Sequence, residues 1–163
     1  MKSKYTAPDN DARYFVSGRL TIAGNLSLEA MAAFEMAEDV FWIIDGSFGV
    51  NGTAKSPVIL TTANEAAQIN WGGIFVQSAN ALNSIDHAEV RLAGGAEIGF
   101  GPINTRRQAA IGVDTNYRLS LTNTTVADTE GFGVFSLGIT GDIQATEAGN
   151  TFINNLLGNS FTP

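Results

Sequence analysis

Read from the N-terminus, the hydrophobic positions fall into short alternating runs broken by Gly, Asn, Asp and Pro. Val16-Ser17-Gly18-Arg19-Leu20-Thr21-Ile22 alternates, and so does Phe48-Gly49-Val50. Val58-Ile59-Leu60-Thr61 follows a turn marked by Gly52 and Pro57. Ile74-Phe75-Val76, Ala88-Glu89-Val90-Arg91-Leu92, Leu119-Ser120-Leu121, Thr124-Thr125-Val126, residues 134–139 and Thr151-Phe152-Ile153 continue the series. A period of two marks strands with one buried face. Helical spacing is scarce. Residues 26–39 are rich in Ala and Glu but carry no 3.6-residue stripe, and they read as strand and turn.

Several runs fall into register as imperfect repeats. Gly18-Arg19-Leu20-Thr21-Ile22-Ala23-Gly24 aligns with Gly46-Ser47-Phe48-Gly49-Val50-Asn51-Gly52, 28 residues on. Gly73-Ile74-Phe75-Val76-Gln77 aligns with Ala110-Ile111-Gly112-Val113-Asp114 and with Gly133-Val134-Phe135-Ser136-Leu137. Each is followed by a second strand, ending in Val90, Val126 and Phe152. A unit of about 20 to 30 residues with two or three short strands cannot bury its apolar face alone, but stacked on its neighbours it can. The expected fold is therefore all-β: a right-handed parallel β-helix, a solenoid of about five coils. Its expected extent is residues 14–155, with an N-terminal arm or cap at 1–13 and a C-terminal tail or partial coil at 156–163. Ala88, Val90 and Leu92 are expected to point inward. His87, Glu89 and Arg91 are expected to line the outer face of the same strand. Ile74, Ile111 and Val134 should form one inward ladder. A β-sandwich would also show short strands and turns, but not repeats in register.

Composition suits such a fold. Charged residues are only 15% of the chain, and Gly is abundant. The net charge of −7 removes the electrostatic footprint for nucleic acid and disfavours an anionic membrane surface. No cysteine is present, which excludes disulfides, thiol catalysis and Cys-ligated metals. No apolar stretch is long enough to span a membrane as a helix. Residues 1–5 have no apolar signal core behind them.

The chain also resembles a family. Asp45-Gly46-Ser47-Phe48-Gly49-Val50-Asn51-Gly52-Thr53-Ala54-Lys55-Ser56-Pro57-Val58-Ile59-Leu60-Thr61 is similar to the opening coils of bacterial right-handed β-helix repeat proteins. Asn70-Trp71-Gly72-Gly73-Ile74 resembles their strand entry, and Gly149-Asn150-Thr151-Phe152-Ile153-Asn154-Asn155 resembles a common later coil. The resemblance covers about residues 14–155 and extends to the pectate-lyase-like superfamily. It implies a secreted or surface protein. It leaves activity open, because that superfamily holds polysaccharide lyases and hydrolases beside non-catalytic modules.

The candidate chemistry is thin. Ser84-Ile85-Asp86-His87 resembles the "W-I-D-H" phrase of pectate lyases, where an Asp helps hold calcium and an Arg on a neighbouring coil acts as base. Ser84 stands in place of the Trp, and Asp114 and Asp128 do not align with Asp86 to complete a ligand set. The acidic pair and the "G-H-G" and "R-I-K" phrases of polygalacturonases do not occur. Glu89 with Asp86, or Asp128 with Glu130, are the acid pairs that hydrolysis would need. With a single histidine, a multi-His metal site is excluded. Neither a cofactor nor a metal is expected.

Binding has more support. Phe75 and Phe135 are expected to face outward on one sheet, with Gly112 leaving a slot between them, as an aromatic surface for a sugar or a protein. His87, Glu89 and Arg91 offer a polar row, or a plain surface ion pair. Residues 94–108, rich in Gly, should leave the coil as a long loop carrying Arg106 and Arg107. Trp71 reads as structural. The expected function is a non-catalytic extracellular module for adhesion or for glycan or protein binding. A lyase or hydrolase-like domain lacking the usual catalytic set, or a structural spacer, are the alternatives. The apolar, uncharged C-terminal coil with Leu156 and Leu157 is expected to support a two-fold homodimer.

Overall fold

A computed structural model of the chain describes residues 4–7, 13–100, 105–136, 143–144 and 149–161, with backbone alone at 4–7, 143–144 and 161. The strands recur in threes. β1 (Lys4–Ala7), β2 (Arg13–Val16) and β3 (Leu20–Ile22) open the chain, followed by β4 (Asn25–Glu29), β5 (Ala33–Met36) and β6 (Phe41–Ile44). Next come β7 (Ser47–Asn51), β8 (Val58–Thr62) and β9 (Gly73–Val76), then β10 (Ser84–Asp86), β11 (Ala88–Arg91), the extra β12 (Glu97–Phe100) and β13 (Thr105–Val113). β14 (Leu119–Thr122), β15 (Thr125–Ala127), β16 (Phe132–Ser136), β17 (Ile143–Gln144), β18 (Thr151–Ile153) and β19 (Gly158–Phe161) complete the series.

Corresponding strands stack into three sheets, called faces A, B and C below. Face A runs β1-β4-β7-β10-β14-β17, face B runs β2-β5-β8-β11-β15-β18, and face C runs β3-β6-β9-β13-β16-β19. Pairing between coils is parallel throughout. The chain is thus the parallel β-helix that its repeats predict. The stack takes in Lys4–Ala7, paired with β4, and Gly158–Phe161, paired with β16, so the ladders run past both ends of residues 14–155. The rest of the N-terminal arm, residues 1–3 and 8–12, lies outside the described residues.

Alternation within each strand puts every second side chain into the lumen. Leu28, Val50, Ile85 and Leu121 form one fully buried ladder on face A. Leu60, Val90 and Val126 do so on face B, with Phe152 on the next rung. Ile74, Ile111 and Val134 do so on face C, in the expected register. Residues 26–39 are strand, turn and strand, as their lack of a helical stripe implies. Trp71 is buried and its Nε1 donates to Arg91 O at 2.9 Å. Trp42 lies in the lumen between Phe34 and Phe48, with ring centroids 5.1 and 6.0 Å away.

One sequence alignment is corrected. Leu20 pairs with Trp42 and Asn25 with Ser47, so the first repeat is 22 residues and not 28. The run from Val16 to Ile22 is two strands with a corner between them. The 22-residue register was obscured because Trp42, Ile43 and Ile44 are all buried, which erases the alternation on that rung.

Corners are made by single residues in the left-handed region. His87 (φ 51) and Asn123 (φ 49) turn the chain from face A to face B, and Leu92 (φ 50), Asp128 (φ 56) and Asn154 (φ 52) turn it from B to C. Corners of successive coils pack closely. A Cβ on Gly52 would fall 1.9 Å from the His87 carbonyl oxygen, so no side chain fits there. Amide side chains bridge where strand pairing lapses: Asn150 Oδ1 accepts from Thr124 N at 2.9 Å and its Nδ2 donates to Leu121 O at 2.8 Å.

Candidate functional site

The insertion at residues 94–108 decides which outer surface is usable. It does not leave the coil as a loop. Glu97–Phe100 folds back and pairs antiparallel with the first part of β13, Glu97 opposite Gln108 and Phe100 opposite Thr105. Residues 101–104, between these strands, lie outside the described residues. Alternation along β12 then turns Ile98 and Phe100 to one side, down onto the outer surface of face C.

The signal for this hairpin was present in Glu97-Ile98-Gly99-Phe100, an apolar alternation before Gly101-Pro102. Its consequence corrects the reading of Phe75 and Phe135. Both point away from the lumen and share a column with Gly112, as the register predicted. Neither is exposed: Phe75 is 5% and Phe135 1% accessible. Phe100 fills the Gly112 slot, its ring tip 2.7 Å from where a Cβ on that glycine would lie. Its ring centroid sits 5.1 Å from that of Phe75 and 4.7 Å from that of Phe135. With Ile43, Ile98 and Ala109 they form a second apolar cluster outside the lumen.

The two arginines join this assembly. The Arg107 guanidinium carbon lies 5.9 Å from the Phe135 ring centroid, within cation–π range. Arg106 lies 4.0 Å from Glu97 across the hairpin. Phe75, Phe135, Arg106 and Arg107 are therefore brought together, as parts of a hairpin clamped to face C.

His87, Glu89 and Arg91 belong elsewhere. Glu89 and Arg91 do stand on the outer surface of face B, Glu89 between Ile59 and Thr125, and Arg91 beside Ala127. No ion pair joins them. His87 leaves their row, because its left-handed backbone turns the side chain toward the face A corner. There its Nδ1 lies 3.0 Å from Asp86 Oδ2, close but out of hydrogen-bonding alignment.

Asp86 is held by the neighbouring coil. Thr122 Oγ1 and Asn123 Nδ2 donate to its Oδ1 at 2.7 and 2.9 Å. Burial raises the pKa of the Asp86 carboxyl, but these two hydrogen bonds and the adjacent His87 outweigh it and hold the group below the usual aspartate range. A depressed value means that the unfolded chain takes up the proton first. The contribution to stability is therefore present above the ordinary aspartate pKa and lost as pH falls through the folded-state value. Denaturant titrations below about pH 4 should show a steeper loss for the natural chain than for Asp86→Asn. Parallel curves would mean that this corner contributes nothing.

The remaining acids are dispersed. Asp128 Oδ1 accepts from Asn154 Nδ2 at 3.0 Å, and Asp114 Oδ1 accepts from Thr115 N at 2.7 Å. Asp128 and Glu130 line a shallow depression with Asn70 and Asn154. No cluster of three His, Asp or Glu side chains is placed to share a metal ion among the described residues.

What the fold does provide is a groove beside the hairpin, roughly 340 Å³ in volume. Phe41, Ile43, Phe75 and Ile98 give it an apolar floor, and Arg19, Gln77 and Glu97 a polar rim. Phe41, Ile43 and Phe75 come from two successive rungs of face C, while Glu97 and Ile98 come from the hairpin. The sequence reading missed Arg19, Phe41 and Gln77, since they meet only through the 22-residue register and the folded hairpin. The groove thus combines aromatic rings with both signs of charge and an amide, on a surface made by coil stacking.

A β-helix is also what the family comparison finds. A family profile described as a pectate-lyase-like β-helix domain matches residues 8–144. The chain belongs to this pectate-lyase-like β-helix family. Neither a curated protein nor a solved structure matches it. Among the described residues, this pectate-lyase-like domain has no helix long and apolar enough to cross a membrane.

Proposed function

We propose that this domain is a non-catalytic extracellular or cell-surface module that works in adhesion by binding a glycan, with the ligand seated in the groove between face C and the β12 hairpin. The groove carries this reading. Sugar rings present apolar CH faces and a fringe of hydroxyls, and they are recognised by aromatic surface edged with charged and amide groups. Half-buried Phe41 supplies the first, and Arg19, Gln77 and Glu97 the second. In each acid pair that hydrolysis would need, one member is held by a neighbouring coil: Asp86 by Thr122 and Asn123, and Asp128 by Asn154. A placement outside the cell rests on the resemblance to secreted and surface β-helix proteins.

Calorimetric titration against a panel of neutral, acidic and amino-sugar oligosaccharides tests the proposal. The expected result is binding to one class, weakened about 5-fold by Arg19→Ala and by Gln77→Ala, the loss of roughly one hydrogen bond each. The same oligosaccharides should show no new reducing ends or unsaturated products. Undiminished affinity in both variants would remove the groove, and cleavage would replace the module with an enzyme.

A further inference from the structure

The shallow depression at the corner from face B to face C takes no part in the glycan groove. Its walls come from three coils. Gln68 and Asn70 belong to the segment between β8 and β9, in the third coil. Asp128 and Glu130 belong to the corner between β15 and β16 in the fifth, and Asn154 to the corner between β18 and β19 in the sixth. The third-coil segment runs along the stack: Trp71 N donates to Leu92 O of the fourth coil, and Gly72 N to Val40 O of the second.

Hydrogen bonding around this depression has one direction. Asn154 Nδ2 donates to Asp128 Oδ1 at 3.0 Å, and Gln68 Nε2 donates to Glu65 O at 3.0 Å. Both amides thus turn their donors to the protein. The side-chain atoms left over are oxygens: those of the two amides, the second oxygen of Asp128 and the carboxylate of Glu130.

Asn70 sharpens the pattern. It is only 7% accessible, and its Oδ1 is buried with no hydrogen-bond partner. A buried amide oxygen without a donor is costly unless something positive meets it, and a bound ion is one such explanation. The protein supplies nothing of that kind here: among the described residues, no lysine, arginine or histidine lines the depression. Two carboxylates and three side-chain amides therefore share one concave corner of a chain whose net charge is −7.

We propose that this corner is a calcium site. Calcium takes about six to eight oxygen ligands from carboxylates, amide carbonyls and water in a flexible geometry, and so needs no third acid. Magnesium demands a tight octahedron and parts with its water reluctantly. Asp128, Glu130 and the Asn70 oxygen are the central ligands, with Gln68 and Asn154 beside them and water completing the shell. Only two ligands are charged and the depression is shallow, which places the affinity at the weak end, with Kd about 0.1 to 1 mM. The bound ion ties the third coil to the fifth, and it stabilises the fold because the unfolded chain has no such site. The site shares no residue with the groove on face C, and it lies at a different corner from Asp86.

Calorimetric titration of the chelator-treated chain with calcium chloride, beside magnesium chloride, tests the proposal. One calcium site in that affinity range is expected, with magnesium about 10-fold weaker or more. Calcium at about 10 mM should also raise the melting temperature by about 3 to 10 °C. Glu130→Gln and Asn70→Leu are each expected to weaken calcium about 10-fold. Glu130 is exposed, so its variant keeps the fold and carries the test should Asn70→Leu misfold. Glu89→Gln, which removes a carboxylate from the outer surface of face B, should bind calcium as the natural chain does. No binding at about 10 mM calcium would overturn the proposal. So would a response that magnesium equals, that Glu130→Gln leaves unchanged or that Glu89→Gln reduces as much, because each is mere screening of an acidic surface.

Discussion

Val90→Asp is expected to leave the chain unfolded. Val90 has no accessible surface and sits in the middle of the face B ladder, with Leu60 on one side and Val126 on the other. Its side chain points into a lumen lined by apolar groups from all three faces. A carboxylate there has no cation or donor to meet, and even its protonated form forfeits hydrogen bonds made with water. The cost of an unpaired buried carboxyl exceeds about 4 kcal/mol, a large part of the stability of a typical domain. A solenoid concentrates the damage, because each coil is stabilised chiefly by its neighbours and the fourth coil joins the two halves of the stack. Far-UV circular dichroism should show loss of the β signal. Native-like melting of the variant would mean that the lumen admits water at this rung. Glu89→Ala, one residue away on the outer surface of the same strand, should be nearly neutral.

Phe100→Ala is expected to release the β12 hairpin while leaving the coils intact. A two-stranded hairpin is marginal by itself, so β12 is held down by what its side chains bury. Phe100 is fully buried, occupies the Gly112 slot and contacts both Phe75 and Phe135. Truncating a buried phenylalanine costs about 3 to 5 kcal/mol, and more than the hairpin's own stability cannot be lost before it lifts. Hydrogen exchange should then accelerate at the amides of Glu97–Phe100, while Ile111 and Val134 on face C remain protected. A hydrophobic dye should bind the uncovered Phe75 and Phe135. Exchange in β12 at the natural rate would show that pairing with β13, and not the ring, fastens the hairpin. Gly112→Leu approaches the same state from the other side, by filling the slot that Phe100 needs.

The hairpin also shows why the site was only partly legible in the sequence. The column Phe75, Gly112, Phe135 follows from aligned repeats, since strand register is fixed by the apolar face that must enter the lumen. Whether anything covers that column is a separate question. The answer depends on a contact between residues 97–100 and a sheet built from three different coils. Phe41, Gln77 and Arg19 have no shared motif in the chain. They come together because β3, β6 and β9 are consecutive rungs. His87 illustrates the reverse error. Alternation placed it with Glu89 and Arg91, but a corner interrupts the period, and a left-handed residue directs its side chain by corner geometry rather than by strand parity.

The sequence by itself determined the parallel β-helix, the inward ladders of faces B and C, the structural part of Trp71 and the coil that carries the insertion. These follow because burying a row of β-branched and aromatic side chains is a local, periodic demand that a repeating chain can meet in only one register. The tertiary structure decided the 22-residue spacing of the first repeat, the burial of Phe75 and Phe135, and the groove beside the hairpin. Each of these depends on which surfaces meet across coils. A period of two states only which way a side chain points, and the neighbour it meets there is supplied by residues far away in the chain.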